Sequence, residues 1–358
     1  MLLNEEGVCN ACIEYNSKPS INWASRLKEL ESLVESVKDL KRDYDCLIPV
    51  SGGKDSTWQT VKCLELGLKP LAVTWKTPGR TKLGQQNLEN LVSLGVDHID
   101  FSINPKVEKF LTLRAFKEMG SNAIPMHLAI FSIPMKIALN FSIPLVIYGE
   151  NSAIEYGGDE EGIDTSKLDD RWKKLYGVTH GTSAQDWQDN LITKKDLTAY
   201  ESPTSENLNS KGIKAIFLGH YLPWDPRMTR DEAVKNGFKV NSDGPLTGFY
   251  EFADIDDYFI SIHHWMKWYK FGFTRAFDNL SLDIRKGLIS REEALNTISK
   301  LGDQTPHGNI EQFCKYVGIT RSEAFEIAEK FRNNDIWKKS SSGIWEIPDF
   351  IISDWKWS

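Results

Sequence analysis

The sequence predicts an α/β protein built on a doubly wound, mostly parallel sheet, with a helical C-terminal region and a small N-terminal appendage carrying a Cys-x-x-Cys pair. Three observations carry this. Short apolar runs alternate with amphipathic helical patterns from residue 22 to about 150, as successive βαβ units require. A glycine-rich turn directly follows the first of those runs. Beyond Asp254 the strand pattern gives way to consecutive segments of helical period.

Residues 1–19 read as a polar, turn-like appendage with Cys9 and Cys12. From Asn22 to Arg42, apolar residues from Trp23 and Leu27 to Leu40 recur at spacings of three and four, which predicts a helix lying on the sheet. Asp45–Val50 is the first strand, Thr57–Leu66 a helix and Lys69–Trp75 the second strand. A helix over Asn87–Gly95, a strand over Asp97–Ile103 and a helix over Pro105–Met119 extend the alternation. The long apolar helix Pro125–Phe141 feeds a fourth strand, Pro144–Gly149. Residues 152–212, polar and weakly periodic, predict an insertion or lid with some helix, and Lys214–Leu222 restores a strand. These readings divide the chain into the appendage 1–19, an α/β domain 20–222 and a mainly helical region 223–358 that closes over the substrate. Helices are expected there over Tyr258–Phe273, Arg275–Lys286, Ser290–Leu301, Ile310–Val317 and Arg321–Phe331. Ser290 with Glu293 and Thr320 with Glu323 fit the capping-box pattern.

Length and composition agree: 358 residues suit about two domains, and 41% apolar with 26% charged residues is a globular balance. No run of 18 apolar residues occurs, and the first residues lack the basic and apolar regions of a signal peptide, so a soluble cytosolic protein without a membrane span is expected. The net charge of −7 repels a phosphate backbone and argues against a nucleic-acid partner. Five cysteines are too few for a disulfide scaffold, and Cys46 and Cys63 fall in core segments. Most of the 12 tryptophans should serve packing.

The chemistry-bearing feature is Ser51-Gly52-Gly53-Lys54-Asp55-Ser56, between the first strand and the following helix. The glycines let the backbone approach an anion, and the free N–H groups of a helix start point at it. Lys54 adds a point charge, Ser51 and Ser56 hydroxyl donors, and Asp55 a carboxylate for a magnesium ion bridging phosphates. The spacing excludes the G-x-x-x-x-G-K-[ST] loop. Thr74, near the end of the second strand, sits where such sheets present a ligand crevice, and serves either the adenine or the core.

The loop resembles the pyrophosphate loop of the PP-loop ATPases, which include NAD synthetase, GMP synthetase and tRNA-modifying thiolases and lysidine synthetases. That resemblance implies cleavage of ATP between the α and β phosphates to adenylate a carbonyl oxygen, which a nitrogen or sulfur nucleophile then displaces. A closer resemblance runs along the chain. The segments 7–12, 45–57, 87–91, Tyr148-Gly149-Glu150-Asn151, Glu155-Tyr156-Gly157-Gly158, 270–273 and Asp283-Ile284-Arg285 are similar to the N-acetyl sugar amidotransferase family of surface-polysaccharide and flagellin-glycan pathways. The resemblance implies conversion of an acetamido group on a nucleotide-activated sugar to acetamidino. ATP and Mg2+ would be used, with ammonia from a partner resembling the histidine-pathway glutaminase and its ammonia-channelling cyclase.

Gly149, Glu150, Asn151, Glu155 and Tyr156 follow the fourth strand and so share the crevice with the loop. Gly149 is placed with the nucleotide, and Asn151, Glu155 and Tyr156 with the sugar. Glu150 serves either as the base that deprotonates ammonium or as a cap or salt-bridge partner. Lys270 is a candidate carboxylate or phosphate contact, while Arg275 reads as an ordinary cation of an amphipathic helix. His263 and His264 are adjacent and cannot share one helix face, which excludes a metal site there. Cys9 and Cys12 have the spacing of one half of a tetrahedral zinc site, and two further ligands would have to come from elsewhere. A tRNA-modifying enzyme and a non-catalytic nucleotide-sensing subunit of a glutaminase complex stand as alternatives.

Overall fold

Five parallel strands, β1 (Cys46–Pro49), β2 (Pro70–Trp75), β3 (Asp97–Phe101), β4 (Leu145–Tyr148) and β5 (Lys214–Phe217), form one sheet in the order β3-β2-β1-β4-β5. The computed structural model describes residues 4–155, 166–352 and 355. The doubly wound α/β class is thus the one expected. β1, β2 and β4 are almost wholly buried apolar segments, as a sheet covered on both faces requires. The order of strand addition reverses between β1 and β4, so the loops after these two parallel strands open into the crevice where such sheets hold ligands.

The chain divides into two compact units. The first comprises residues 1–108 and 124–239 and contains the sheet. Its helices are α1 (Asn10–Ser17), α2 (Trp23–Lys38), α3 (Lys54–Glu65), α4 (Lys82–Val92), the first turn of α5 (Pro105–Met119) as far as Glu108, and all but the first residue of α6 (Ala123–Phe141). The shorter α7 (Ser152–Glu155), α8 (Asp170–Tyr176), α9 (Ser205–Ser210) and α10 (Leu218–Tyr221) follow, then α11 (Pro226–Lys235). Leu30, Val34 and Val37 of α2 enter one core with Ile48, Trp58, Leu88, Leu91, Ile147 and Ile216. α6 is long and apolar enough by length and composition to cross a membrane, but 56% of that window is buried in the protein, and Phe131 lies 5.9 Å from the Tyr148 ring of β4. It is built as a core helix.

Residues 109–123 join 240–358 in the second unit. It holds α12 (Ile260–Phe271), α13 (Arg275–Arg285), α14 (Arg291–Leu301), α15 (His307–Val317), α16 (Arg321–Lys330) and a two-stranded antiparallel ribbon, β6 (Lys338–Lys339) with β7 (Trp345–Glu346). Phe116, fully buried, meets Phe313 edge-on at 5.3 Å, and Trp265, Trp268, Tyr269 and Trp337 fill the same core. Ser290 and Thr320 accept from Glu293 N and Glu323 N, so both expected capping boxes form. The helix boundaries here agree with the sequence pattern to within three residues.

Four local expectations are corrected. The appendage is helical from Asn10 rather than turn-like. α3 begins at Lys54, three residues before the expected Thr57, because Gly53 already has the extended N-cap conformation. α4 spans Lys82–Val92 rather than 87–95, since Thr81 caps it by accepting from Gly84 N at 2.8 Å. The fifth strand stops at Phe217, and Gly219-His220-Tyr221 belong to the helical turn α10. α11 had no expected counterpart. It packs on α3, with Lys62 Nζ 2.5 Å from Glu232 Oε1.

Candidate active site at the switch point

The loop after β1 is fixed by glycine chemistry. Gly52 has φ +91°, and a Cβ built there would lie 2.7 Å from Leu88 N and 2.8 Å from Gly84 O. Both the left-handed backbone and the contact with the α4 main chain exclude any side chain. Leu88 and Gly84 are themselves held in place by the α4 anchor, where Asn87 donates to Lys239 O at 2.9 Å and accepts from Lys239 N at 2.8 Å. Gly53 N donates to Ser51 Oγ at 3.3 Å. The Ser56 and Thr57 hydroxyls both donate back to Gly53 O, at 2.9 and 3.1 Å, which closes the first turn. The earlier helix start therefore puts Lys54, Asp55 and Ser56 in the first turn of α3, at the positive end of a 12-residue helix.

Lys54 is buried, and its ammonium donates to Asp55 Oδ2. The same ammonium lies 5.4 Å from the Trp224 ring centroid. Asp55 Oδ1 accepts from Trp224 Nε1 at 3.0 Å and from Thr229 Oγ1 at 3.1 Å. A carboxylate has acceptor capacity for about four hydrogen bonds, so Asp55 keeps room for a further ligand. Trp224 and Thr229 were not singled out from sequence. Asp225-Pro226 is a helix-start signature, and Asp225 does cap α11, but nothing in the sequence ties residue 224 to residue 55.

Across the crevice, Gly149 follows β4, and its carbonyl accepts from Gly219 N at 3.0 Å, joining the ends of β4 and β5. Gln59 donates to Ile147 O, and a Cβ on Gly149 would come 3.3 Å from Gln59 Oε1. The carboxyl of Glu150 is pushed up to about 7, first by burial and then by the negative charge of Asp55, against the pull of Lys54. Two carboxyl groups and one ammonium thus share the mouth of the switch point, and one carboxyl is poised to change charge near neutrality.

The other expected residues are placed as follows. Thr74 is buried and its hydroxyl pairs with His98 Nε2 at 2.9 Å. Burial pushes the His98 imidazole down, so its neutral form is the one that meets Thr74. Asn151 is buried and accepts from Trp172 Nε1 at 3.0 Å. Glu155 receives Lys18 Nζ on both oxygens, at 2.7 and 2.8 Å, which ties α7 to the N-terminal segment. Tyr156, Gly157 and Gly158 lie outside the described residues. Lys270, in the second unit, donates to Met119 O at 2.7 Å and is lowered to about 8 by burial. It caps the end of α5. Arg275 pairs with Asp254 at 2.9 Å, and His264 bonds Thr247 Oγ1 at 3.3 Å.

Cys9 and Cys12 place their sulfurs 3.4 Å apart, at the start of α1. Among the described residues no group of three or more His, Cys, Asp or Glu side chains is arranged to hold a metal, so the expected zinc pair does not fit a zinc site.

Sheet order, pinned glycine loop and helix start define a doubly wound α/β fold with a glycine loop and a helix N-terminus together at its switch point. Residues 244–350 match a family model described as the LPS biosynthesis protein WbpG-like, C-terminal domain, which fits the family that the motifs along the chain resemble. No curated protein matches the chain. Among solved structures, NMN synthetase from Francisella tularensis aligns at 18% identity over 54% of this chain and 93% of that one, with a TM-score of 0.31. The predicted subunit of tRNA methyltransferase from Methanocaldococcus jannaschii aligns at 17% identity over 63% and 87%, with a TM-score of 0.30. Both likenesses are too distant to carry residue roles.

Proposed function

We propose that this chain is an ATP-dependent amidotransferase that converts an acetamido group of a nucleotide-activated sugar to an acetamidino group, in the cytoplasm, for surface-polysaccharide assembly. The observation that carries the proposal is the pairing, at one switch point, of a pinned pyrophosphate loop with Glu150, a carboxyl pushed up to about 7. The match to a lipopolysaccharide-biosynthesis domain supports a sugar substrate.

In this reading the amide oxygen attacks the α phosphorus of ATP, the bond to the β phosphate breaks, and pyrophosphate leaves. Ammonia then adds to the imidate carbon and AMP departs with the former amide oxygen. The sum is amide plus ATP plus ammonia giving amidine, AMP and pyrophosphate. The loop N–H groups at Gly52 and Gly53 and the hydroxyls of Ser51 and Ser56 bind the leaving pyrophosphate, with Lys54 supplying positive charge. Asp55 would hold Mg2+, and its oxygen donor and spare acceptor capacity suit that hard cation. When bound, the ion neutralises charge on the phosphates. Glu150 in its carboxylate form takes a proton from ammonium. Gly149 borders the nucleotide, Thr74 the adenine side, and Asn151, Glu155 and Tyr156 the sugar side. Lys270 is assigned a substrate contact only if it leaves Met119. Ammonia is supplied by a separate glutaminase and its channelling partner.

The experiment is mass spectrometry of a panel of diacetamido nucleotide sugars incubated with the protein, magnesium ATP and ammonium chloride, with AMP followed in parallel. The expected result is a product in which NH replaces O, formed in step with AMP. AMP release on adding RNA, with no sugar changed, would overturn the reading.

A further inference from the structure

Within the first unit, the insertion encloses a cavity of about 390 Å³, inside the ~300–1,000 Å³ range of small-molecule sites. Leu128 and Phe131 of α6, with Ala184 and Pro203, give it an apolar floor, and Thr179, Ser183, Gln185 and Ser202 give it a hydroxyl and amide rim. Its charges balance: Lys173 and Lys174 against Asp170 and Glu201, with Lys173 Nζ 2.7 Å from Asp170 Oδ1. A wall without net positive field does not suit a polyphosphate. Thr179 is 4% exposed and its hydroxyl has no partner among the described residues, an arrangement that costs about 1–3 kcal/mol unless a ligand or water fills it. On either side of it Val178 and His180 hold φ +55° and +53°, and a β-branched residue rarely adopts that conformation. The wall is linked to the crevice through Trp172. Phe131 lies 5.7 Å from the Trp172 ring, and Trp172 Nε1 donates to Asn151, the neighbour of Glu150.

We infer that this cavity binds the uncharged, N-acetylated sugar ring of the substrate, with the acetamido methyl on the Phe131 floor and ring hydroxyls at Thr179 and the rim. The inference rests on the sugar substrate proposed above and locates where that sugar is recognised.

The test is saturation-transfer NMR of the full chain with N-acetylglucosamine, the simplest ring carrying the recognised group, and with glucose and pyrophosphate as comparisons. The expected result is strong transfer to the N-acetyl methyl, not displaced by pyrophosphate. Thr179→Val, nearly isosteric, should weaken N-acetylglucosamine binding about tenfold, and Ala184→Phe should abolish it, while ATP binding stays unchanged and the thermal midpoint of the Val variant does not fall. Absence of transfer in the wild type, or transfer that survives both substitutions, would overturn the assignment. Binding lost in both variants without amidination of any sugar would leave the cavity standing and sink the proposed reaction. Amidination with an unchanged KM for sugar in Thr179→Val would do the reverse.

Discussion

Asp55 bears two jobs that separate under substitution. Its Oδ1 anchors Trp224 and Thr229, and its negative charge faces Lys54. Asp55→Ala would remove the anchor and leave the buried Lys54 uncompensated, so loss of activity there would also report loss of structure. Asp55→Asn keeps an oxygen for Trp224 and Thr229 while removing the charge. The expected outcome is a melting temperature within a few degrees of wild type and AMP formation reduced by about a hundredfold or more, read by quenched-flow assay. Glu150 is tested by pH. Its carboxyl, raised to about 7, is neutral below that value and charged above it. Activity that needs the carboxylate to take a proton from ammonium rises through about pH 7 at fixed ammonium concentration, and Glu150→Gln should lose that limb while still binding ATP. Stability runs the other way. The folded group holds its proton more tightly than the unfolded one, so its contribution is full below about pH 4.3 and is lost as pH rises through about 7. Denaturant midpoints of wild type and Glu150→Gln should therefore draw apart as pH increases across that window.

At the scale of elements, α4 is the backstop of the glycine loop after β1. Gly52→Ala forces a left-handed alanine against the α4 main chain, with a cost of about 2–5 kcal/mol from strain and overpacking together. Urea denaturation should show that loss, and Gly53→Ala, whose nearest contact is the Ser51 hydroxyl at 3.3 Å, should cost much less. The alternation of strands with helices was legible because β1, β2 and β4 are mostly apolar runs between helix-period segments. The loop was legible because glycine, lysine and aspartate stood between such runs. What escaped was non-local. α11 is polar over most of its length and carries only a few buried positions, so its pattern is weak. The Trp224–Asp55 bond joins residues 169 apart. Asn151 and Glu155 were marked by position and by the family-like segments they sit in, and neither could show that Trp172 and Lys18 are their partners.

At the scale of the whole molecule, the second unit is discontinuous in sequence: residues 109–123 are packed with 240–358. Phe116 and Phe313 meet in that core, both almost fully buried. Phe116→Ala is expected to cost about 3–5 kcal/mol, and a chain ending at Lys239 should expose Phe116 and self-associate, which sedimentation would detect. The family match at 244–350 lies inside this unit, so the segment it describes is completed by a stretch of chain more than a hundred residues earlier.

The jammed glycine has a kinetic corollary. A loop whose shape is already set by the α4 main chain has no folding step left to perform on binding the pyrophosphate proposed for it. Stopped-flow mixing should accordingly give a single association phase whose observed rate climbs linearly with ligand concentration, without the plateau that a slow rearrangement imposes.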